Sequence, residues 1–138
     1  MASSHAHNHA HERESLTRNQ KLVLDAVEAA AAPQSAYDIL NSLRPHGVKA
    51  PLQVYRALDH LVKQGLVHKL ESLSAFVACQ HPSDEGHAAT VFMICDSCGT
   101  VRERTNACIS GDLKNLARGD GFQVAHTSIE LHGHCGKC

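Results

Sequence analysis

The chain has 138 residues, 43% of them apolar, with no tryptophan and a formal net charge of −1. That length suits one ordinary domain or two small ones, and no apolar run approaches the ~20 residues that span a bilayer. Met1 to Glu14 holds no secretory hydrophobic segment, so the expectation is a cytoplasmic protein whose six cysteines are thiols or metal ligands rather than disulfides.

Bulk charge does not advertise a nucleic-acid partner. Residues 1–77 carry eight Lys/Arg against seven Asp/Glu, and the remainder five against seven, so a basic surface has to be argued locally. Histidine, in contrast, is in excess, with 12 residues. Four of them, His5, His7, His9 and His11, alternate along a tail (1–15) that cannot build a core and reads as disordered. It is either a solvated tail or a weak, exchangeable metal trap.

The ordered chain begins with Thr17-Arg18-Asn19-Gln20, a Thr-x-x-Gln capping box. Val23, Ala26, Val27 and Ala30 follow on one helical face, and Pro33 ends the run. Ser35 is a plausible N-cap for a second helix carrying Ile39, Leu40 and Leu43, stopped by Pro45 and Gly47. Pro51 suits the first turn of a third helix and Gly65 its C′ position. On that helix Val54, Leu58, Leu61 and Val62 are expected to face the core, and Gln53, Arg56, His60 and Lys63 the solvent.

Val67–Leu70 with Glu71, then Ala75–Ala78, flank Ser72-Leu73-Ser74 as a hairpin. Three helices followed by a hairpin is the order of a winged helix-turn-helix. In such domains, side chains near the N-terminus of the recognition helix meet base edges in the major groove. Here these are Gln53 and Arg56 with Tyr55 beside them, and Lys49 and Arg18 are further expected DNA contacts. Glutamine suits adenine and arginine suits guanine. The competing reading is a solvated polar face on an ordinary helical bundle.

After Cys79, the polar stretch Gln80–Gly86 reads as a hinge, giving boundaries of 16–79 for the first domain, 80–89 for the hinge and 90–138 for the second domain. In the second domain, Thr90–Ile94 leads as a strand into Cys95, and Thr100–Arg104 continues as a second strand. Ile109, Leu113 and Leu116 mark a helix ending near Gly119/Gly121, with Cys108 packed at its start. Phe122–Leu131 forms the last strand, which delivers Cys135 and Cys138. The fold class expected is α+β: a winged helix-turn-helix domain, then a small α/β domain.

Cys95/Cys98 and Cys135/Cys138 form two Cys-x-x-Cys pairs, the spacing of a closed four-thiolate structural zinc site. The 36 residues between them exceed the loop of a small zinc ribbon, so the metal clips the first strand and the last segment of a larger domain. A redox dithiol needs only one pair, usually opening a helix, whereas both pairs here sit at strand–turn boundaries. Hydrolytic zinc needs an open position and a general base. Neither a His-Glu-x-x-His nor a His-x-Glu pattern occurs, and no enzyme or small-molecule substrate is expected.

The segments Ser35-Ala36-Tyr37-Asp38-Ile39-Leu40, Val54-Tyr55-Arg56-Ala57-Leu58 and Gly65-Leu66-Val67-His68-Lys69, joined to the two cysteine pairs, resemble the ferric uptake regulator family. Its zinc-sensing branch is the nearest match, and the likeness runs from about Leu16 to Cys138. One departure is Gln53, where relatives often carry threonine. The resemblance implies a homodimer whose second domain is the dimerisation domain. It also implies a regulatory zinc site of His68, Cys79, His87 and Glu103, joining the first domain, the hinge and the second domain. His81 is a rival beside the hinge, and His126, ahead of His132 and His134, is the best candidate for a further metal site.

One thiolate, two imidazoles and a carboxylate suit Zn²⁺ better than iron(II) or manganese(II), and the His-His-x-His run of iron-sensing relatives is missing near His87. The function implied is a zinc-responsive, DNA-binding repressor of zinc-uptake genes. It would carry one structural and one regulatory Zn²⁺ per chain and act on AT-rich, inverted-repeat operators. The alternative is an iron-, manganese- or peroxide-responsive regulator of the same family.

Overall fold

The computed structural model describes residues 13–80, 89–125 and 127–138. They fall in two compact units, one ending at Ser83 and the other beginning at Asp84. No helix among the described residues is long and apolar enough to cross a membrane.

The first unit contains α1 (Arg18–Ala29), α2 (Ala36–Leu43), α3 (Pro51–Lys63), β1 (Val67–Leu70) and β2 (Ala75–Ala78). Local chemistry sets each helix start. Thr17 Oγ1 accepts from the Gln20 amide at 3.3 Å while the Gln20 side chain accepts from the Thr17 amide at 2.9 Å. Ser35 and Asp38 repeat the arrangement, each amide donating to the other's side chain at 3.1 Å. Each such cap satisfies amides that a helix start leaves without intrahelical partners. Pro51 opens α3, and Gly65 just past its end has φ +73°, a conformation glycine adopts without steric cost.

Leucine, isoleucine and valine side chains from all three helices meet in one core, with Val23, Ile39, Val54, Leu58 and Leu61 almost wholly buried. β1 and β2 pair antiparallel from Val67↔Ala78 to Leu70↔Ala75. The hairpin turn is a short 3-10 segment, Glu71–Leu73, closed by Ser74 at φ +48°. Gln34 adds a bridge to the outer edge of the hairpin, exchanging amide–carbonyl bonds with Phe76 at 3.0 and 2.8 Å. This contact ties the wing to the α1–α2 connection. No sequence pattern announces it, because a single bridging residue has no periodicity.

One expectation for α3 fails. Val62 is 39% exposed and Ala57 takes its place in the core. Positions 54, 57, 58 and 61 complete the i, i+3, i+4, i+7 stripe of a buried helix face, and position 62 falls one residue beyond it.

The second unit is a three-stranded sheet, β3 (Ala89–Cys95), β4 (Val101–Asn106) and β5 (Ser128–Gly133), in the order β4-β3-β5, with α4 (Ala107–Gly119) between the last two strands in sequence. β3 and β4 are antiparallel, while β3 and β5 are parallel, from Thr90↔Ser128 to Cys95↔Gly133. A parallel neighbour needs a crossover, and α4 supplies it. The last strand starts at Ser128 rather than Phe122, because the end of α4 turns back on itself: Gly121 has φ +64° and the Phe122 amide donates to the Ala117 carbonyl at 2.9 Å. Cys108 is exposed rather than packed, and Leu116 is 72% exposed. Among the described residues, the buried apolar side chains of this unit are Ala89, Val91, Phe92, Ile94 and Cys95, all on β3.

The contrast on α3 gives a stability test. Leu61→Ala is expected to cost about 2–5 kcal/mol in urea unfolding of the first unit, as a buried leucine truncation. Val62→Ala is expected to cost less than about 1 kcal/mol, as at a surface position.

Candidate metal centres and nucleic-acid face

The β3–β5 register builds the four-cysteine site. Gly133 lies opposite Cys95, and the Asp96 amide donates to the Gly133 carbonyl at 2.8 Å, so the chain after β5 turns against the knuckle after β3. The four sulfurs lie within 4.8 Å of one another. Individual Sγ···Sγ separations are 3.0 Å for Cys135–Cys138, 3.3 Å for Cys95–Cys138 and 3.6 Å for Cys98–Cys135. A zinc tetrahedron with 2.3 Å Zn–S bonds has edges of about 3.8 Å, so the residues fit that ion with small adjustment.

The surroundings favour thiolate. Cys95 Sγ accepts from the Cys135 amide at 3.3 Å and the Cys98 amide at 3.5 Å, and these bonds lower its pKa from the usual 9.0 to about 5. Cys98 is lowered by the Thr100 hydroxyl, 3.1 Å from its sulfur. Cys138 moves well upward, chiefly through its contact with Cys135. Close-set thiolates cannot all ionise without a cation among them, and a divalent ion with four soft sulfur ligands resolves that conflict.

Outer contacts brace the two knuckles. Ser97 Oγ lies 2.9 Å from His134 Nδ1, joining one knuckle to the other. His132 stands between Asp96 and Glu130, 3.4 Å from a carboxylate oxygen of each. His126 lies outside the described residues.

In the first unit, His68 on β1 pairs with Val77 across the hairpin, and Cys79 lies two residues beyond Val77 on the same face. The Cys79 amide donates to the Leu66 carbonyl at 2.9 Å, extending the ladder by one residue. The His68 nitrogen and Cys79 sulfur ligand atoms lie within 4.8 Å of each other, and His68 Nε2 is buried. In the second unit, Glu103 on β4 lies opposite Phe92 and is 3% exposed. A glutamate is seldom so buried without a partner. His87 and the rival His81 fall outside the described residues.

The outer side of α3 presents Tyr55 and Arg56 to solvent; Lys49, just before the helix, and Arg18, at the start of α1, are also exposed. Arg18 donates to the His46 carbonyl at 2.7 Å and its guanidinium lies over Gly47, so it also holds the turn that leads into α3. Gln53 has a different occupation from the base reading expected of it. Its side-chain oxygen accepts from the Lys49 amide at 3.2 Å and the Ala50 amide at 3.3 Å. It therefore caps a helix start where Ala50 has no side-chain oxygen, and a bidentate contact with adenine would have to break that cap. The signal was present in the sequence as Ala50-x-x-Gln53, half of a capping box.

The profile of the ferric uptake regulator family matches residues 12–132. The chain belongs to that family. Within the family it is 40% identical to the zinc uptake regulation protein of Escherichia coli K12 over 124 residues, covering 89% of this chain and 72% of that protein. Among solved structures, holo XcZur is 41% identical with a TM-score of 0.81, covering 89% of this chain and 85% of the other. A zinc uptake regulator complexed with zinc and DNA is 37% identical with a TM-score of 0.85, covering 96% and 89%. The ferric uptake regulation protein of Campylobacter jejuni is 27% identical over 106 residues, covering 77% of this chain and 66% of that protein.

Two outcomes test these sites. A chelator that strips zinc from the four thiolates is expected to abolish hydrogen-exchange protection of the β5 amides while leaving that of α1 to α3 in place. Gln53→Ala is expected to destabilise the first unit by about 1 kcal/mol. Gln53→Glu, which keeps an acceptor and suits the positive end of the helix dipole, is expected to retain most of that stability in thermal unfolding.

Proposed function

We propose that this protein is a homodimeric, zinc-responsive repressor that binds double-stranded DNA operators of zinc-uptake genes in the cytoplasm, and that it is a regulator and not an enzyme. The reading rests on its likeness to zinc uptake regulators, one of them complexed with zinc and DNA, together with a histidine and a thiol converging on the wing. The observation that carries the metal choice is the closeness of His68 and Cys79. A thiolate in a sensing site selects zinc over iron(II) or manganese(II), which favours this reading over the iron, manganese or peroxide alternative.

One zinc per chain is structural, held by Cys95, Cys98, Cys135 and Cys138. A second is regulatory, held by His68, Cys79, His87 and Glu103, and when bound it links ligands from both units and the segment between them. His68 and Cys79 present their ligand atoms from one face of the hairpin, so the wing needs little rearrangement to take part. Linking the units fixes their relative orientation, and the population shifts toward the dimer competent for DNA. In that state, the two α3 helices enter major grooves about one helical turn (~34 Å) apart.

The second unit carries the dimer contact. Met93, Leu116, Phe122 and Leu131 are exposed in the single chain, and apolar surface of that kind marks an interaction site. On α3, Arg56 and Tyr55 read bases, while Lys49 and Arg18 contact phosphate. His126 remains the candidate for a further ion.

Cys79→Ser is the discriminating variant. It is expected to keep the dimer and one tightly held zinc per chain, but to lose zinc-dependent operator binding by at least about tenfold, in the range seen when metal-site groups are removed. Unchanged zinc dependence would remove Cys79 from the sensor. Half-maximal operator binding at a lower free concentration of Fe²⁺ or Mn²⁺ than of Zn²⁺ would favour the alternative.

A further inference from the structure

The first turn of α3 has an unusual surface. Ala50, Pro51, Leu52 and Tyr55 are all exposed, Leu52 to 56% and Tyr55 to 53%. Four buried positions, Val54, Ala57, Leu58 and Leu61, define the core side of the helix. Leu52 lies diametrically opposite them, on the outermost line that it shares with Arg56 at i+4 and Lys63 at i+11. Gln53 lies to one side, with its oxygen directed to the Lys49 and Ala50 amides. The residue that leads the outward face of the helix is therefore an aliphatic one.

An isolated exposed leucine is ordinary. This one stands at the N-terminal end of the helix that carries the base-reading arginine, preceded in the chain by the exposed Lys49, while the exposed Arg18 holds the turn before it. A helix that docks in a major groove by its N-terminal residues brings Leu52 to the base edges together with Arg56. The major-groove edges of the bases offer one apolar group, the 5-methyl of thymine, and an aliphatic side chain there selects it.

We propose that Leu52 is a specificity-determining residue that reads a thymine methyl group in each operator half-site, next to the base contacted by Arg56. The proposal rests on the DNA-binding reading above. It assigns base discrimination to an apolar contact at the helix tip, with Gln53 serving as the cap that holds the tip in shape.

The test starts from the zinc-loaded full chain and a random-sequence duplex pool, from which a preferred duplex is selected and sequenced. Each thymine of that duplex is then replaced, one at a time, by deoxyuridine, which removes only the methyl group. For the wild-type protein, one position per half-site is expected to lose about fourfold in affinity, the worth of one buried methyl group. In Leu52→Ala, the same replacement is expected to cost nothing, while guanine substitutions opposite Arg56 keep their full effect. Leu52 is exposed and alanine is a strong helix former, and an unchanged circular dichroism melt confirms that the variant is folded.

A selected duplex indifferent to every deoxyuridine replacement overturns the Leu52 proposal and leaves DNA binding standing. So does a methyl effect that persists undiminished in Leu52→Ala. A pool from which no sequence is enriched overturns the DNA-binding reading, and the Leu52 proposal with it.

Discussion

The parallel pairing of β5 with β3 is the constraint on which the second unit depends. It places Gly133 opposite Cys95, and from there a single intervening residue, His134, suffices to bring Cys135 to the first cysteine pair. A slip of one residue would reverse every side chain on β5 and carry the second knuckle away from the first. Parallel pairing is also entropically expensive, because the ends of a long crossover must be brought together before any contact forms. Among the described residues, the buried apolar side chains of this unit all lie on β3, a small core to set against that entropy. Four metal–thiolate bonds, formed if the cysteine cluster holds the zinc proposed for it, would supply what the core lacks, as in small units that fold around zinc.

The first unit solves its stability differently. Its three helices bury a continuous aliphatic core, and two reciprocal capping boxes and a proline fix where each helix begins. Precise starts matter because the outward residues of α3 are useful only if the helix begins where it does. A start displaced by one residue would rotate Arg56, Tyr55 and Leu52 by about 100°. Gln53 and Arg18 belong to this positioning apparatus: one ties the entry of α3 to its own first amides, the other ties the preceding turn to the start of α1.

The wing brings an imidazole and a thiol close together. Its first strand carries His68, and the ladder continues one residue past its second strand to Cys79 on the same face, while Gln34 closes the outer edge with two backbone bonds. A hairpin bounded in this way holds a soft sulfur and an imidazole nitrogen near each other in the single chain. If these two groups hold zinc as proposed, that pre-organisation would lower the entropic cost of recruiting further ligands.

Much of this was legible in the sequence, because the determinants are local. Thr17-x-x-Gln20 and Ser35-x-x-Asp38 specify helix starts by hydrogen bonds within one turn. Pro51 and Gly65 bracket α3 through their own backbone preferences, and the Cys-x-x-Cys spacing declares two ligands for one ion. The residue type of Gln53 suits both adenine and a backbone amide, and the fold shows that the Lys49 and Ala50 amides are within its reach. Val62 and Phe122 were misplaced because helix facing and strand onset depend on what packs opposite. The order of elements, the helix limits and the identity of the cysteine cluster follow from interactions over a few residues, and so could be read from the chain alone. Tertiary structure alone decided the parallel register that unites the cysteine pairs, the Gln34 bridge and the outward line shared by Leu52 and Arg56. Those features depend on contacts between residues distant in the chain, or on which side of a helix the core happens to occupy.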